Sequence, residues 1–353
     1  MFEELTSWNN LLFAYKKASK GKRGRPYVAA FEHRLEDHLL ELQYELHGHI
    51  YRPGPYESHY IHEPKRRLIS AAPFRDRVVH HALCNMIEPL FERSFIFDSY
   101  ASRVGKGTHR ALDRCQEFAR QYKFVWACDV RQFFPSLDYA ILRSALARKI
   151  SDANVLALID LILHSGEGVL REAYDMVYFS GDDLFAINRP RGLPIGNLTS
   201  QFWANVYLNA FDHFVKRELR CPAYLRFVDD MLFFTNDKAA LWRWKEASQQ
   251  RLAQARLTIH EGAHPRPTSE GVSFLGFIVF PQRRRLKPRK GFHFQRKLRR
   301  LICAYHDGKI SLTQLTASLG GWINHVRYAN TLGLRKKILR FKLRRSTSAF
   351  ARV

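Results

Sequence analysis

The 353-residue chain is poor in cysteine: Cys84, Cys115, Cys128, Cys221 and Cys303 are an odd number, widely scattered, and form no CxxC pair. That excludes a disulfide framework and a thiolate zinc site, and leaves reduced thiols that mostly fill core space. Long apolar runs are also lacking. No stretch is apolar enough to span a bilayer and the start MFEELTSWNN has no basic-then-apolar signal pattern, so a soluble protein of the cytoplasm, with no membrane partner, is expected. Acid is the scarcest property: 33 Asp+Glu stand against 57 Lys+Arg, a net charge of +24. The deficit is concentrated at one end. From Arg283 onward 20 Lys/Arg face a single acid, Asp307, so this tail carries +19 and the rest of the chain +5. Such asymmetry points to a polyanionic partner held by the C-terminal part. The interleaved aromatics Phe292, Phe294, Tyr305, Trp322 and Tyr328 favour nucleic acid over an acidic lipid surface or a merely solvated face.

Where acids are few, their placement is informative. The stretch YLRFVDDMLFF at 224–234 sets Asp229 and Asp230 between apolar runs, the pattern of two buried strands with carboxylates at the hairpin tip. Burying two like charges side by side is costly unless a cation joins them, although an Asp-Asp turn open to water is the other reading of this stretch alone. One hundred residues upstream, FVWACDVRQFFPSL at 124–137 is a second apolar strand that delivers Asp129. Three carboxylates on two adjacent strand ends can hold two Mg²⁺ ions about 3.5–4 Å apart, the arrangement used for in-line phosphoryl transfer.

The full chain has 46% hydrophobic residues, enough for two or three units with a core. Residues 1–50 read as helices around a basic loop at 20–26, and 56–71 as two strands whose tip carries Lys65, Arg66 and Arg67. Such a tip is a solvated turn or a fold-over for a triphosphate. A helix is expected from Phe74 to Phe97, then a glycine-rich loop in which Arg103 and Lys106 are placed to cradle a phosphate. Asp138 to Ile150 reads as a helix, and 165–190 as a surface hairpin insertion whose Asp182-Asp183 pair lies in the wrong order along the chain for a metal role. In GLPIGNLTSQFWANVYLN at 192–209 two glycines and a proline make a close turn, after which Asn197, Thr199, Ser200 and Gln201 cap a helix buried by Phe202, Val206 and Phe211. Ala239–Leu257 reads as a helix, and 257–260 and 272–280 as single strands, with Gly276 marking a close approach of backbone. Residues 283–300 read as a basic connection, followed by about three short helices with Trp322, Ile323, His325 and Tyr328 in their core.

The order of these motifs resembles reverse transcriptases over about residues 50–330: the basic finger at Lys65 and Arg67, DVRQFFPSL at 129–137, GLPIGNLTSQFWAN at 192–205, RFVDD at 226–230 and FLGF at 274–277. The resemblance implies an α+β right-hand polymerase fold, with fingers at 1–122, an antiparallel palm at 123–282 and a basic helical thumb at 283–353. It implies RNA-templated DNA synthesis with two Mg²⁺, or Mn²⁺ in their place, held by Asp129, Asp229, Asp230 and the Val130 carbonyl. Nucleotide contacts fall to Lys65, Arg67, Phe134, Ile195, Gly196 and Gln201, with Phe134 barring a 2′-hydroxyl. Template and primer fall to Arg103, Lys106, Phe274, Leu275, Gly276, Arg296, Lys297, Arg299 and Arg300.

Within that family Ile195 stands where a Gln is usual, and the following GNLTSQ is similar to the enzymes of diversity-generating retroelements. That group, bacterial, archaeal or phage-encoded, copies a template repeat RNA with errors at adenines. The short length, the first helix with Trp8, the segment GWINH at 321–325 and the lack of a maturase or endonuclease extension are similar too. The resemblance then implies a small basic oligomeric accessory protein. Two features depart from the family: Phe227-Val228 stands before the acids, and no Lys lies in 258–271 to serve as general acid, leaving His260, His264, Arg266 or water. The alternatives are a group II-like, retron-like or defence-associated enzyme of ordinary fidelity, and a non-catalytic RNA-binding scaffold on the same fold.

Overall fold

The computed structural model describes residues 1–62 and 66–339. Four of the helices begin where the sequence supplies a side-chain acceptor for the unpaired N–H groups of a first turn. Ser7 accepts from Asn10 N ahead of the helix Trp8–Ser19, Asp138 from Ile141 N ahead of Tyr139–Ala147, and Asp152 from Asn154 N and Val155 N ahead of Ala153–Ser165. Ser311 and Gln314 complete a capping box at Leu312–Val326.

The chain divides into two compact units, one of Met1–Gly107, Cys128–Met231 and Trp242–Ala263, the other of Thr108–Ala127, Leu232–Leu241 and the residues from His264 onward. In the first unit the N-terminal helices pack on Phe74–Glu92, which buries Val78, Val79, Leu83 and Ile87 and stops five residues short of the expected end. Each such side chain contributes about 1.5–3 kcal/mol when taken from water. The first two strands, β1 (Glu57–Ile61) and β2 (Arg67–Ala71), form the expected antiparallel hairpin, in register from Glu57 opposite Ala71 to Ile61 opposite Arg67. Lys65 lies outside the described residues.

The strands β3 (Phe124–Asp129), β4 (Ala223–Phe227), β5 (Asp230–Thr235) and β6 (Arg266–Pro267) form a sheet ordered β4-β5-β3-β6. The strands β3, β4 and β5 read as near-continuous apolar runs and are buried over most of their length. The helix Leu198–Arg217 is buried from Phe202 through Leu208 without a break, more than the single face its apolar spacing predicts. Residues 257–260 form no strand and make only an isolated bridge, Val130 opposite Ile259. The expected hairpin at 165–190 is absent as well. Short 3-10 helices, Arg171–Ala173 and Leu184–Asn188, replace it, and the two acids of this segment bond to nearby backbone, Asp182 accepting from Phe179 N and Asp183 from Phe185 N.

In the second unit, 272–280 is a hairpin and not one strand. Leu275 and Gly276 have φ of 46° and 88°, and two positive φ values in a row turn β7 (Val272–Phe274) back on β8 (Phe277–Val279), which pairs with β9 (Arg284–Leu286). Gly276 therefore serves a turn. The basic connection at 283–300 is itself structured, as β9 and then the helix Pro288–His306 with proline in its first turn. This helix packs with Leu312–Val326 and Leu332–Leu339 around Phe294, Leu298, Leu315 and Ile338. Trp322 lies against that core, stacked on Phe294 at 4.2 Å, while Tyr328 stacks on His109 at 3.5 Å and His325 lies by Phe277, so of the expected core only Trp322 belongs to this cluster. Four of the five cysteines are buried, and among the described residues no helix is long and apolar enough to cross a membrane.

Candidate nucleotide site

Within the first unit the end of β3, the turn between β4 and β5, and the β1–β2 hairpin open onto one cavity of about 1220 Å³. Asp129, Val130, Phe134, Ile195 and Asp229 line it together with Arg66, Arg67 and Leu68. Side chains separated by as many as 205 positions, Pro55 and His260, thus meet at one concavity.

The backbone explains the presentation of each acid. Val228 has φ +57°, a left-handed conformation that costs a β-branched residue of the order of 1–3 kcal/mol, and it tips the hairpin so that Asp229 faces the cavity. Gln132, with φ +49°, turns the chain after Asp129 into the short helix Phe133–Ser136, which buries Phe133 and leaves Phe134 half-buried on the cavity wall. Arg131 N donates to Thr258 O at 2.7 Å and His260 N to Asp129 O at 3.2 Å. These bonds flank Val130, whose carbonyl takes no part in that bridge. His260 also lines the cavity, its Nε2 3.7 Å from Asp129 Oδ2.

Burial pushes the Asp229 carboxyl above its ordinary range; its own backbone N–H lowers it, the charge of Asp129 raises it, and Arg67 and Arg226 oppose the rise. A carboxylate whose charge is disfavoured by burial and by a second acid is one that a hard cation would relieve. Among the described residues no three His, Cys, Asp or Glu side chains form a group ready to hold a metal ion. Two carboxylates on one wall still fit Mg²⁺, which takes most of its ligands from phosphate oxygens and water. Asp230, the first residue of β5, is half-buried and does not line the cavity; after burial, its charge and that of Asp129 raise the Cys128 thiol.

The glycine turn belongs to the same wall. Ser70 N donates to Ile195 O at 2.8 Å, and the Asn197 side chain accepts from Ala72 N and donates to Ser70 O, both at 3.1 Å. Asn197 stands at the N-cap but makes no capping bond, because its amide stitches β2 to the turn instead. A Cβ on Gly196 would come within 3.1 Å of Ile69 Cγ2 and 3.4 Å of Ser70 O, so this glycine serves close packing on β2. Gln201 is exposed, accepts from Ser102 Oγ at 3.1 Å, and is not on the cavity wall.

Other expected contacts sit elsewhere. Arg103 is a buried staple, its side chain only 6% exposed, bound to Glu92 and to the carbonyls of Ile96 and Ser99, so it does not offer a phosphate a free fork. Lys106 donates to Phe97 O and lies over the Phe97 ring at 3.5 Å. In the second unit Phe274 is buried and Leu275 and Gly276 form the hairpin turn, while Arg296, Lys297, Arg299 and Arg300 lie on the exposed side of Pro288–His306. Asp182 accepts from Arg256 at 2.6 and 2.7 Å, which holds its carboxyl below the ordinary range.

Sequence reasoning missed the wall opposite β1–β2, where Gly168, Leu170 and Glu172 line the cavity and Asp175 accepts from both Arg131 and Gln132 at 3.0 Å. An acid-bearing insertion between two site motifs was the available signal.

The sequence model of the family described as Reverse transcriptase (RNA-dependent DNA polymerase) matches residues 61–279. Protein YkfC of Escherichia coli is 28% identical over 194 residues, covering 52% of this chain and 46% of that protein. Group II intron-encoded protein LtrA of Lactococcus lactis is 26% identical over 184 residues, 51% of this chain and 28% of LtrA. Nuclear intron maturase 1 of Arabidopsis thaliana is 30% identical over 97 residues, 27% of this chain and 14% of the maturase. The chain thus matches less than half the length of each of these relatives.

Proposed function

The chain belongs to the reverse transcriptase family and has its α+β right-hand polymerase fold, and we propose that the cavity around Asp129 and Asp229 copies an RNA template into cDNA. What carries the reading is one observation: two carboxylates from separate strand ends share a cavity with Arg67 on a finger hairpin, Phe134 and Ile195. The division into fingers 1–122, palm 123–282 and thumb 283–353 belongs to the same proposal.

Reverse transcriptase domains use divalent metal, and a pair of Mg²⁺ ions, or Mn²⁺, would lower the pKa of a primer 3′-hydroxyl and neutralise the triphosphate. Asp129, Asp229 and the Val130 carbonyl would hold them, with Asp230 orienting the turn from behind. Arg67, with Lys65, binds the triphosphate of an incoming dNTP. Phe134 closes the space that a 2′-hydroxyl needs, and Ile195 packs on the nascent base pair with Gly196 keeping its backbone against β2. The exposed cations Arg296, Lys297, Arg299 and Arg300 hold template and primer backbone.

The finer reading is error-prone copying of a template repeat RNA, with errors at adenines, for mutagenic retrohoming in a diversity-generating retroelement, together with a basic oligomeric accessory protein. Its support is an apolar Ile195 on the cavity wall, where a Gln would bring a hydrogen-bonding amide to the template base. The likeness to LtrA favours a second reading, an enzyme of ordinary fidelity. Extension of a primer on a defined RNA with Mg²⁺ and dNTPs, followed by product sequencing, separates them. Errors clustered at template adenines support the retroelement reading, accurate copies the second, and absence of synthesis with the cognate RNA and accessory protein present overturns both.

A further inference from the structure

Behind the Asp229 turn lies a polar cluster that touches no solvent. Arg226 and Asp212 form an ion pair in which both side chains are 0% exposed. Arg226 Nε lies 2.8 Å from Asp212 Oδ1 and Nη2 lies 2.6 Å from Oδ2, a two-pronged pairing. The other arm, Nη1, donates to Asn205 Oδ1 at 3.1 Å and to the carbonyl of Val228 at 2.9 Å. Tyr224 OH donates to Asp212 at 2.8 Å, and Asn205 Nδ2 donates to Ala101 O at 2.9 Å.

A buried ion pair is weak evidence of added stability, since an apolar pair of similar volume often serves as well. Its geometry here has a second use. Val228 is the residue held at φ +57°, and a β-branched residue leaves that conformation unless its surroundings fix it. The guanidinium is anchored by Asp212 on the helix Leu198–Arg217 and grips the carbonyl of that residue, next to Asp229.

We propose that Arg226 is a positioning residue for the polymerase reaction: anchored by Asp212 and Asn205, it holds the left-handed Val228 turn so that Asp229 stays aimed into the nucleotide cavity. This rests on the reading of Asp229 as a metal-holding residue. Arg226 touches neither nucleotide nor primer, so its loss acts on the chemical step and leaves substrate binding in place.

The test measures kcat and KM for dNTP by primer extension, together with thermal unfolding, in Arg226→Lys, in the paired neutral variant Arg226→Met/Asp212→Asn, and in Asp229→Ala. Lys keeps the charge but reaches Val228 and Asn205 without the fork, and a turn misplaced by an ångström lowers kcat about 10²-fold with KM within about twofold. The neutral pair regains thermal stability relative to Arg226→Met alone but not kcat. Adding Val228→Gly, which adopts positive φ freely, to Arg226→Lys restores at least about tenfold of the lost kcat, a rescue that a purely structural role does not produce. Wild-type kcat in the folded neutral pair, a loss confined to KM, or no rescue by Val228→Gly overturns the positioning role. Should Arg226→Lys fail to fold, Asn205→Ala, which frees one anchor of the same arm, must show the same kcat-only loss. Synthesis surviving in Asp229→Ala overturns the site reading itself, an outcome separate from an inactive Asp229→Ala beside a fully active Arg226→Lys.

Discussion

Replacing Asn197 by Ala removes one small amide, and the structure sets what that costs. The side chain is 2% exposed and bonds to Ala72 N and Ser70 O, which belong to residues 2% and 0% exposed. Each buried polar group that loses its partner costs about 1–3 kcal/mol, so the loss of two destabilises the fold by about 2–6 kcal/mol, a large part of the 5–15 kcal/mol typical of a whole protein. A solvated cap would cost about 1 kcal/mol. The amide also fastens β2, which carries Arg67, to the turn that carries Ile195. The variant should therefore raise KM for dNTP more than it lowers kcat. Equilibrium urea unfolding with an unchanged m-value, followed by steady-state primer extension at a temperature where the variant is folded, measures both effects. A loss below about 0.5 kcal/mol, the range of an ordinary surface change, would refute the account of Asn197 as a buried stitch.

Four further outcomes are expected. Phe134→Ala should admit rNTPs, lowering the preference for dNTP by about 10-fold or more in competition assays, since the proposed steric filter is lost while Asp129 and Asp229 stay. Ile195→Gln should lower misincorporation opposite template adenine, and an unchanged error spectrum would contradict the place given to Ile195. Changing Arg296, Lys297, Arg299 and Arg300 together to Ala should flatten the salt dependence of template–primer binding, whereas Arg103→Ala should lower stability and leave that slope alone. His80 is buried and unpaired at Nδ1, and burial holds its pKa down to about 3, so the unfolded chain binds a proton that the folded chain refuses. Stability should then fall as pH drops below about 6.5, by about 1.4 kcal/mol per unit from this residue, and His80→Leu should remove that part of the slope in unfolding titrations at pH 7 and 5.5.

The acids and their strands were legible because the evidence for them is local: an apolar run ending in a carboxylate reads the same in sequence and in space. Phe133 and Phe134 could be divided only by the structure, since which ring faces the core depends on the left-handed Gln132. FLGF read as a strand because its hydrophobicity is continuous, but Leu275 takes a positive φ that leucine spacing does not announce. Arg103 and Asn197 misled in different ways: an arginine in a glycine-rich loop suggested a phosphate and a polar residue before a helix suggested a cap, and here the partners are the protein's own Glu92 and the backbone at 70–72. The wall at 168–173 offered no periodic pattern, being irregular backbone fastened through Asp175, and only the placing of an acid-bearing insertion between two site motifs pointed to it. Arg226, in contrast, carried a signal that went unused, since an arginine amid an apolar strand requires a buried acid, and Asp212 is that acid.

The most direct measurement compares single-turnover dNTP incorporation on a primed RNA template with Mg²⁺ in Asp229→Asn and in Asp182→Asn, each beside the unaltered protein. Both changes remove one carboxylate charge without changing shape, but Asp229 lines the cavity with Asp129 while Asp182 is bound to Arg256. Incorporation abolished in Asp229→Asn and retained in Asp182→Asn is the predicted result. Incorporation that survives in Asp229→Asn, or is lost only in Asp182→Asn, would contradict the assignment of the site.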